Sequence, residues 1–129
     1  MAVDTIGAAR GRRVGEVIVG VRDGTLNLLD HVEEICDRLD EMEPLLQAMV
    51  PEDGRRQRMV AEAQAVLDCL ATTPDLPLPG VVVGVKDIFH VDGFTTRAGS
   101  EVPAELLHGK QAASVSRLRQ AGAIILGKT

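Results

Sequence analysis

The chain has 129 residues, 45% apolar and 26% charged, with a net charge of -5, two Phe and neither Trp nor Tyr. Its aliphatic content excludes a disordered chain, and an isoelectric point near 5.1 with almost no rings to stack on bases excludes a general nucleic-acid surface. No apolar run approaches the ~18 residues of a membrane span, and the opening MAVDTIGAARGRRVGEV lacks a compact apolar stretch with a cleavage site, so a cytoplasmic protein with no membrane partner is expected.

Val14, Val17, Ile18 and Val21 repeat at helical spacing and predict a first helix ending near Gly24. Leu28, Leu29, Val32, Ile35, Cys36, Leu39 and Met42 form the stripe of a second, with Asp23 or Thr25 as its cap and Pro44 as its end. A third is expected from Asp53 to about Ala71, opened by an acidic first turn, with Met59, Val60, Ala63, Val66, Leu67 and Leu70 on one face. Cys36 and Cys69 both fall on apolar faces and are too few for a disulfide framework or a thiolate metal site. The three histidines, His31, His90 and His108, show no ligand spacing, and no metal is expected.

The segment TTPDLPLPG, residues 72–80, holds three prolines and reads as a stiff connector. After it, VVVGV is apolar on both alternating faces, as in a strand covered on both sides, and predicts a buried strand from Val81 to Lys86. Ala112 to Ala121 reads as a helix stopped by Gly122, and AIIL at 123–126 as a second strand. Strand, helix, strand implies a parallel pair with a right-handed crossover. The expected organisation is a helical segment over 1–71, the connector over 72–80 and the start of an α/β core over 81–129.

The last eight residues, GAIILGKT, fit the phosphate-loop pattern letter for letter, but the four residues between the glycines are strand-forming and no helix follows to meet a phosphate, so that reading is rejected. Lys86 carries more chemistry. An ordinary lysine, with a pKa of ~10.4, is a poor base at neutral pH, and burial lowers that value by making the charged form costly. The plainer alternative is a lysine that snorkels from the strand end and pairs with an acid such as Asp87.

The run PLPGVVVGVKDIFHVDGFTTRAGS, followed by QAASVSRLRQAGAIILGKT, resembles the first half of the amidase signature family. That family reads approximately G-x-P-x-x-V-K-D, then x-T-T-x-G-S, then A-x-x-V-x-x-L-x-x-A-G-A-x-x-x-G-K-T; the resemblance is close from residue 77 onward and holds in pattern from about residue 14. It implies amide hydrolysis through a serine nucleophile, a second serine on a cis peptide and a lysine that starts the proton relay, with no cofactor. Lys86 matches the family's lysine. Thr95, Thr96, Gly99 and Ser100, beside Asp87, form the turn expected to border the acyl pocket, although simple turn chemistry explains the same residues.

The family's two serines lie in a Gly-Ser-rich segment beyond the Gly-Lys-Thr, and neither is among these 129 residues. Ser100, Ser114 and Ser116 do not replace them by position. The expectation is therefore an incomplete α/β amidase-signature fold: N-terminal helices followed by the first strands of a mixed sheet, inactive alone, with unpaired groups on its last strand. It would act with a complementing C-terminal portion or as a homodimer, on a small-molecule amide. Within the family, an amidotransferase component for glutamyl- or aspartyl-tRNA is the alternative, its partner subunits supplying the RNA contact; outside it, a non-catalytic scaffold module. His90 and Gln111 depart from the family pattern: His90 is expected to be solvated, and Gln111 to cap its helix poorly.

Overall fold

The computed structural model describes residues 11–129. Helix α1 (Val14–Asp23) buries Val17, Gly20 and Val21 and leaves Val14 exposed. The Arg13 N–H donates to the Glu16 carboxylate at 2.8 Å, which serves one of the orphan donors at the helix start. Gly24 ends α1 with φ 76°, a left-handed position that glycine adopts without strain. Asp23 does not cap the next helix: it accepts from the Thr25 N–H (2.9 Å) and hydroxyl (2.6 Å) and closes the turn. The cap of α2 (Leu28–Leu46) is Asn27, whose Oδ1 accepts from the Asp30 N–H at 3.1 Å.

Helix α2 also runs past Pro44 to Leu46. A proline in the last turn removes one N–H from a ladder with few bonds left. The chain turns away at Gln47, left-handed at φ 48°, whose N–H still reaches the Glu43 carbonyl at 2.8 Å. Helix α3 (Arg55–Leu70) starts after left-handed Gly54, and its first turn carries no acid. The expected acidic start fails because Glu52 lies ahead of the helix and reaches forward to Arg55 (3.1 Å) and Arg58 (2.5 Å).

These helices share a core of Val17, Val21, Leu28, Val32, Cys36, Met59, Ala63, Val66, Leu76 and Ile124. Leu28, Val32, Met59, Ala63 and Ile124 have almost no exposed surface, and each fully buried aliphatic side chain contributes about 1.5–3 kcal/mol of transfer free energy. Cys36 belongs to this core; Cys69, expected on the apolar face of its own helix, is exposed.

The chain then crosses to the sheet without helix or strand over 71–81. Within that stretch the Leu78 N–H donates to the Ala121 carbonyl (2.7 Å) and the Gly80 N–H to the Gly122 carbonyl (2.9 Å). Strand β1 (Val82–Val85) follows, then a 3-10 turn at Ala104–Leu107 that the sequence reading did not anticipate, α4 (Ala113–Gln120) and β2 (Ile124–Lys128). Lys86 falls just outside β1, and β2 runs two residues beyond the expected Leu126. The strands pair in parallel, Val82 opposite Ile124 and Val85 opposite Lys128, with an irregularity after Val83. Both faces of β2 are covered, since Ile124 enters the helical core and Ile125 joins Val85, Val91 and Val115 in a second. The fold is α/β.

The edge of β2 away from β1 was expected to be unpaired. It is bonded instead by α3: Arg58 donates to the Ile125 (2.7 Å) and Leu126 (3.2 Å) carbonyls, and the Ile125 N–H donates to Glu62 at 3.1 Å. Burial alone would lower the Arg58 pKa, but its bonds and charge pairing with Glu52 and Glu62 raise it overall. Among the described residues no helix is long and apolar enough to cross a membrane.

Candidate active site

Parallel pairing brings two lysines to the carboxyl ends of neighbouring strands, Lys86 after β1 and Lys128 at the end of β2. Their surroundings are opposite. Lys86 is exposed, and its side chain has no hydrogen-bond or ion-pair partner among the described residues. Lys128 is 2% exposed, and its ammonium donates to Asp87 Oδ1 at 2.8 Å and to Thr96 Oγ1 at 3.4 Å. The dry setting read for Lys86 thus belongs to Lys128 in these residues. The Lys86–Asp87 pairing considered above is not formed, because Asp87 turns inward from the strand end while Lys86 turns outward.

Asp87 is fixed at every polar group. Its second carboxylate oxygen accepts from the Arg97 N–H at 3.2 Å, its carbonyl from the Ala98 N–H at 2.9 Å, and its own N–H donates to the Thr129 carbonyl at 2.9 Å. The Thr129 N–H in turn donates to the Val85 carbonyl at 2.8 Å, so the groups on both sides of Lys86 are bonded to one residue. Ala98 holds φ 51°, a left-handed value that costs a non-glycine residue of order 1 kcal/mol, and its bond to Asp87 helps to offset that cost.

Of the expected turn residues, Thr96 is buried and joins Lys128 to His90, whose Nδ1 lies 2.9 Å from Thr96 Oγ1. Thr96 Oγ1 accepts from Lys128, and it donates to His90 Nδ1 when the ring carries its proton on Nε2. His90 is therefore not simply solvated: a Cβ added at Gly109 would stand 2.6 Å from its Nε2, so the backbone there packs against the ring. Thr95 is exposed on a cleft of about 500 Å3 that His90, Thr96, Glu105 and His108 also line. Gly99 is left-handed at φ 64°, and the Ser100 hydroxyl is spent within its own turn, donating to the Arg97 carbonyl at 2.8 Å. Gln111 does not cap α4; it accepts from the Asp92 N–H (3.1 Å) and Arg119 (2.8 Å) and donates to Ser116 (3.0 Å). Among the described residues no three His, Cys, Asp or Glu side chains gather in a way that could hold a metal ion.

A family model described as Amidase matches residues 30–129. The chain belongs to the amidase family. The amidase stretch is 37% identical over 114 residues to a glutamyl-tRNA(Gln) amidotransferase subunit of Oleidesulfovibrio alaskensis, covering 88% of this chain and 23% of that protein. It is 34% identical to the subunit of the same name from Thermus thermophilus, over 88% of this chain and 22% of that protein. A solved structure reported as "An unexpected vestigial protein complex reveals the evolutionary origins of an s-triazine catabolic enzyme" superposes with a TM-score of 0.76 at 30% identity, over 91% of this chain and 26% of that one. The chain therefore spans about a quarter of the length of the relatives it matches.

Lys128 appears in the sequence only as the lysine of a rejected phosphate loop and of the closing Gly-Lys-Thr of the family pattern, with no role assigned to it. The signal was present: two lysines end adjacent parallel strands, and Asp87 is the one acid at those ends.

Proposed function

We propose that this chain is the N-terminal portion of an enzyme that cleaves amide carbon-nitrogen bonds, with Lys86 as the general base of a serine relay whose two serines lie outside these 129 residues. The observation that supports this reading is the unpartnered Lys86 side chain at the open carboxyl end of a parallel strand, its neighbouring backbone groups clamped by Thr129. Carboxyl ends of such strands are where α/β folds place their ligands. Neutral Lys86 takes a proton from the cis serine, which deprotonates the nucleophile; attack on the carbonyl breaks the carbon-nitrogen bond, the amine leaves with the proton returned through the relay, and water then cleaves the acyl ester to release the acid and restore the serine. The surface around Lys86 carries exposed Ile88 and Phe89, an apolar rim suited to be covered by the portion bearing the serines. Covering it would supply the dry setting that a neutral lysine needs. This reading assigns the acyl contact to Thr95, the turn residue exposed on its cleft.

A second reading, a component of a tRNA-dependent amidotransferase, is favoured by the names of the relatives at 34–37% identity. It shares the amide-cleaving relay and adds partner subunits that hold the RNA. The reading frame should continue into a Gly-Ser-rich segment, and its full product should hydrolyse a simple aliphatic or aryl amide. Lys86→Ala should lower that turnover by about a thousandfold or more with the fold intact, and residues 1–129 alone should show none. Unchanged turnover in Lys86→Ala removes Lys86 from the mechanism. Activity that appears only with partner subunits and charged tRNA selects the second reading.

A further inference from the structure

The buried pair formed by Lys128 and Asp87 has no part in the relay, yet it sits one residue from the proposed base. We infer that Lys128, acting through Asp87, is a positioning residue that fixes the direction in which Lys86 leaves the strand; this rests on the reading of Lys86 as the base. Successive side chains at a strand end point to opposite sides, so anchoring Asp87 inward commits Lys86 outward. The anchor is tight: Asp87 is 7% exposed and meets Lys128 at 2.8 Å and the Arg97 N–H at 3.2 Å. Backbone bonds to Thr129 and from Ala98 hold it on both sides. The Lys86 carbonyl accepts from the Phe89 N–H at 3.1 Å, so the main chain turns immediately and leaves Lys86 only its side-chain torsions.

Stability alone does not call for such a pair, since buried ion pairs are often matched or exceeded by apolar replacements of similar volume. What an apolar pair cannot supply is the directional hold on a carboxylate by one ammonium and one N–H. Thr96 gives Lys128 a second acceptor at 3.4 Å and ties it to His90, so the cation is held as well as the anion.

The test uses the full product of the reading frame, with kcat, KM, the pH profile of kcat/KM and melting measured for Lys86→Ala, Lys128→Met, Lys128→Arg and Thr96→Val. The expected result for Lys128→Met is a fall in kcat of about a hundredfold per folded molecule, as a ~1 Å misplacement gives. KM should change less than threefold, and the acid limb of kcat/KM should move at least one unit to higher pH. Lys128→Arg, which keeps the charge, should recover most of the kcat. Thr96→Val should move the same two readouts in the same direction by a few-fold; if Lys128→Met does not fold, Thr96→Val and Lys128→Arg decide. A lower melting temperature with parental kcat per folded molecule and a parental acid limb overturns the positioning role and leaves a merely structural pair. Retained turnover in Lys86→Ala instead removes the base, and with it anything Lys128 could position.

Discussion

Two lysines stand at the ends of adjacent strands, each after an apolar run, and one is solvated while the other is sealed. What separates them is not local sequence but what packs beside each end. Beside β2 lie the 94–98 turn and residue Val50, whose N–H donates to the Lys128 carbonyl at 2.8 Å, and the Asp87 carboxylate is held by the Lys128 ammonium and the Arg97 N–H. Beside β1, on the side away from β2, there is no further strand among the described residues. β2 is buried along most of its length, whereas β1, expected to be covered on both sides, fully buries only Val85, so a lysine closing an apolar run is an ambiguous signal that tertiary neighbours resolve.

The largest effect should come from removing one member of the sealed pair. Lys128→Met should destabilise residues 1–129 by ~3–5 kcal/mol, because it leaves the Asp87 charge buried without its cation, whereas Lys86→Met should change stability by less than about 0.5 kcal/mol. Urea titration of both variants checks this, and equal losses would erase the contrast between the strand ends.

A smaller effect is expected where α3 meets β2. Arg58 serves Glu52, Glu62 and two strand carbonyls and lies 4.9 Å from the centre of the Phe94 ring. Arg58→Ala should cost ~2–3 kcal/mol. Arg58→Lys should recover less than half of it, since one ammonium cannot reproduce the planar fork. Full recovery by lysine would mean that charge alone closes this edge.

The smallest effect is a pH dependence in the helical region, at His31. Burial first, and then the charge of Arg12, hold the His31 pKa below its ordinary 6.5, against the opposing pull of Glu34. The unfolded chain therefore takes up this proton at higher pH than the folded one. Stability from this group is level above about pH 7 and falls as pH drops through 6.5 towards the lowered folded value. His31→Gln should flatten that slope when melting is followed between pH 5 and 8; an unaltered slope would assign it to other groups.

The helical faces, the connector, the parallel pair and Lys86 at a strand end are legible in the sequence because apolar spacing and proline punctuation are local properties. The choices the sequence reading got wrong are choices among equivalent groups. Asp23, Thr25 and Asn27 all offer a side-chain oxygen near the start of α2, and only the turn geometry selects Asn27. Asp87 had an adjacent lysine and a distant one, and the distant one won because Asp87 turns inward from the strand end while Lys86 turns outward. The hold of Arg58 and Glu62 on β2 depends on a helix more than 60 residues away in sequence, which no periodicity announces.

That hold has a directional consequence. With Arg58 and Glu62 bonded to Ile125 and Leu126 on its outer flank, β2 has already spent there backbone groups that another strand would need, so β1 is the more open edge for extending the sheet. Any segment that extends it there arrives beside Lys86. Growth of the sheet and enclosure of the amine would then be a single docking event, and a chain that failed to complete the one would leave the other wet.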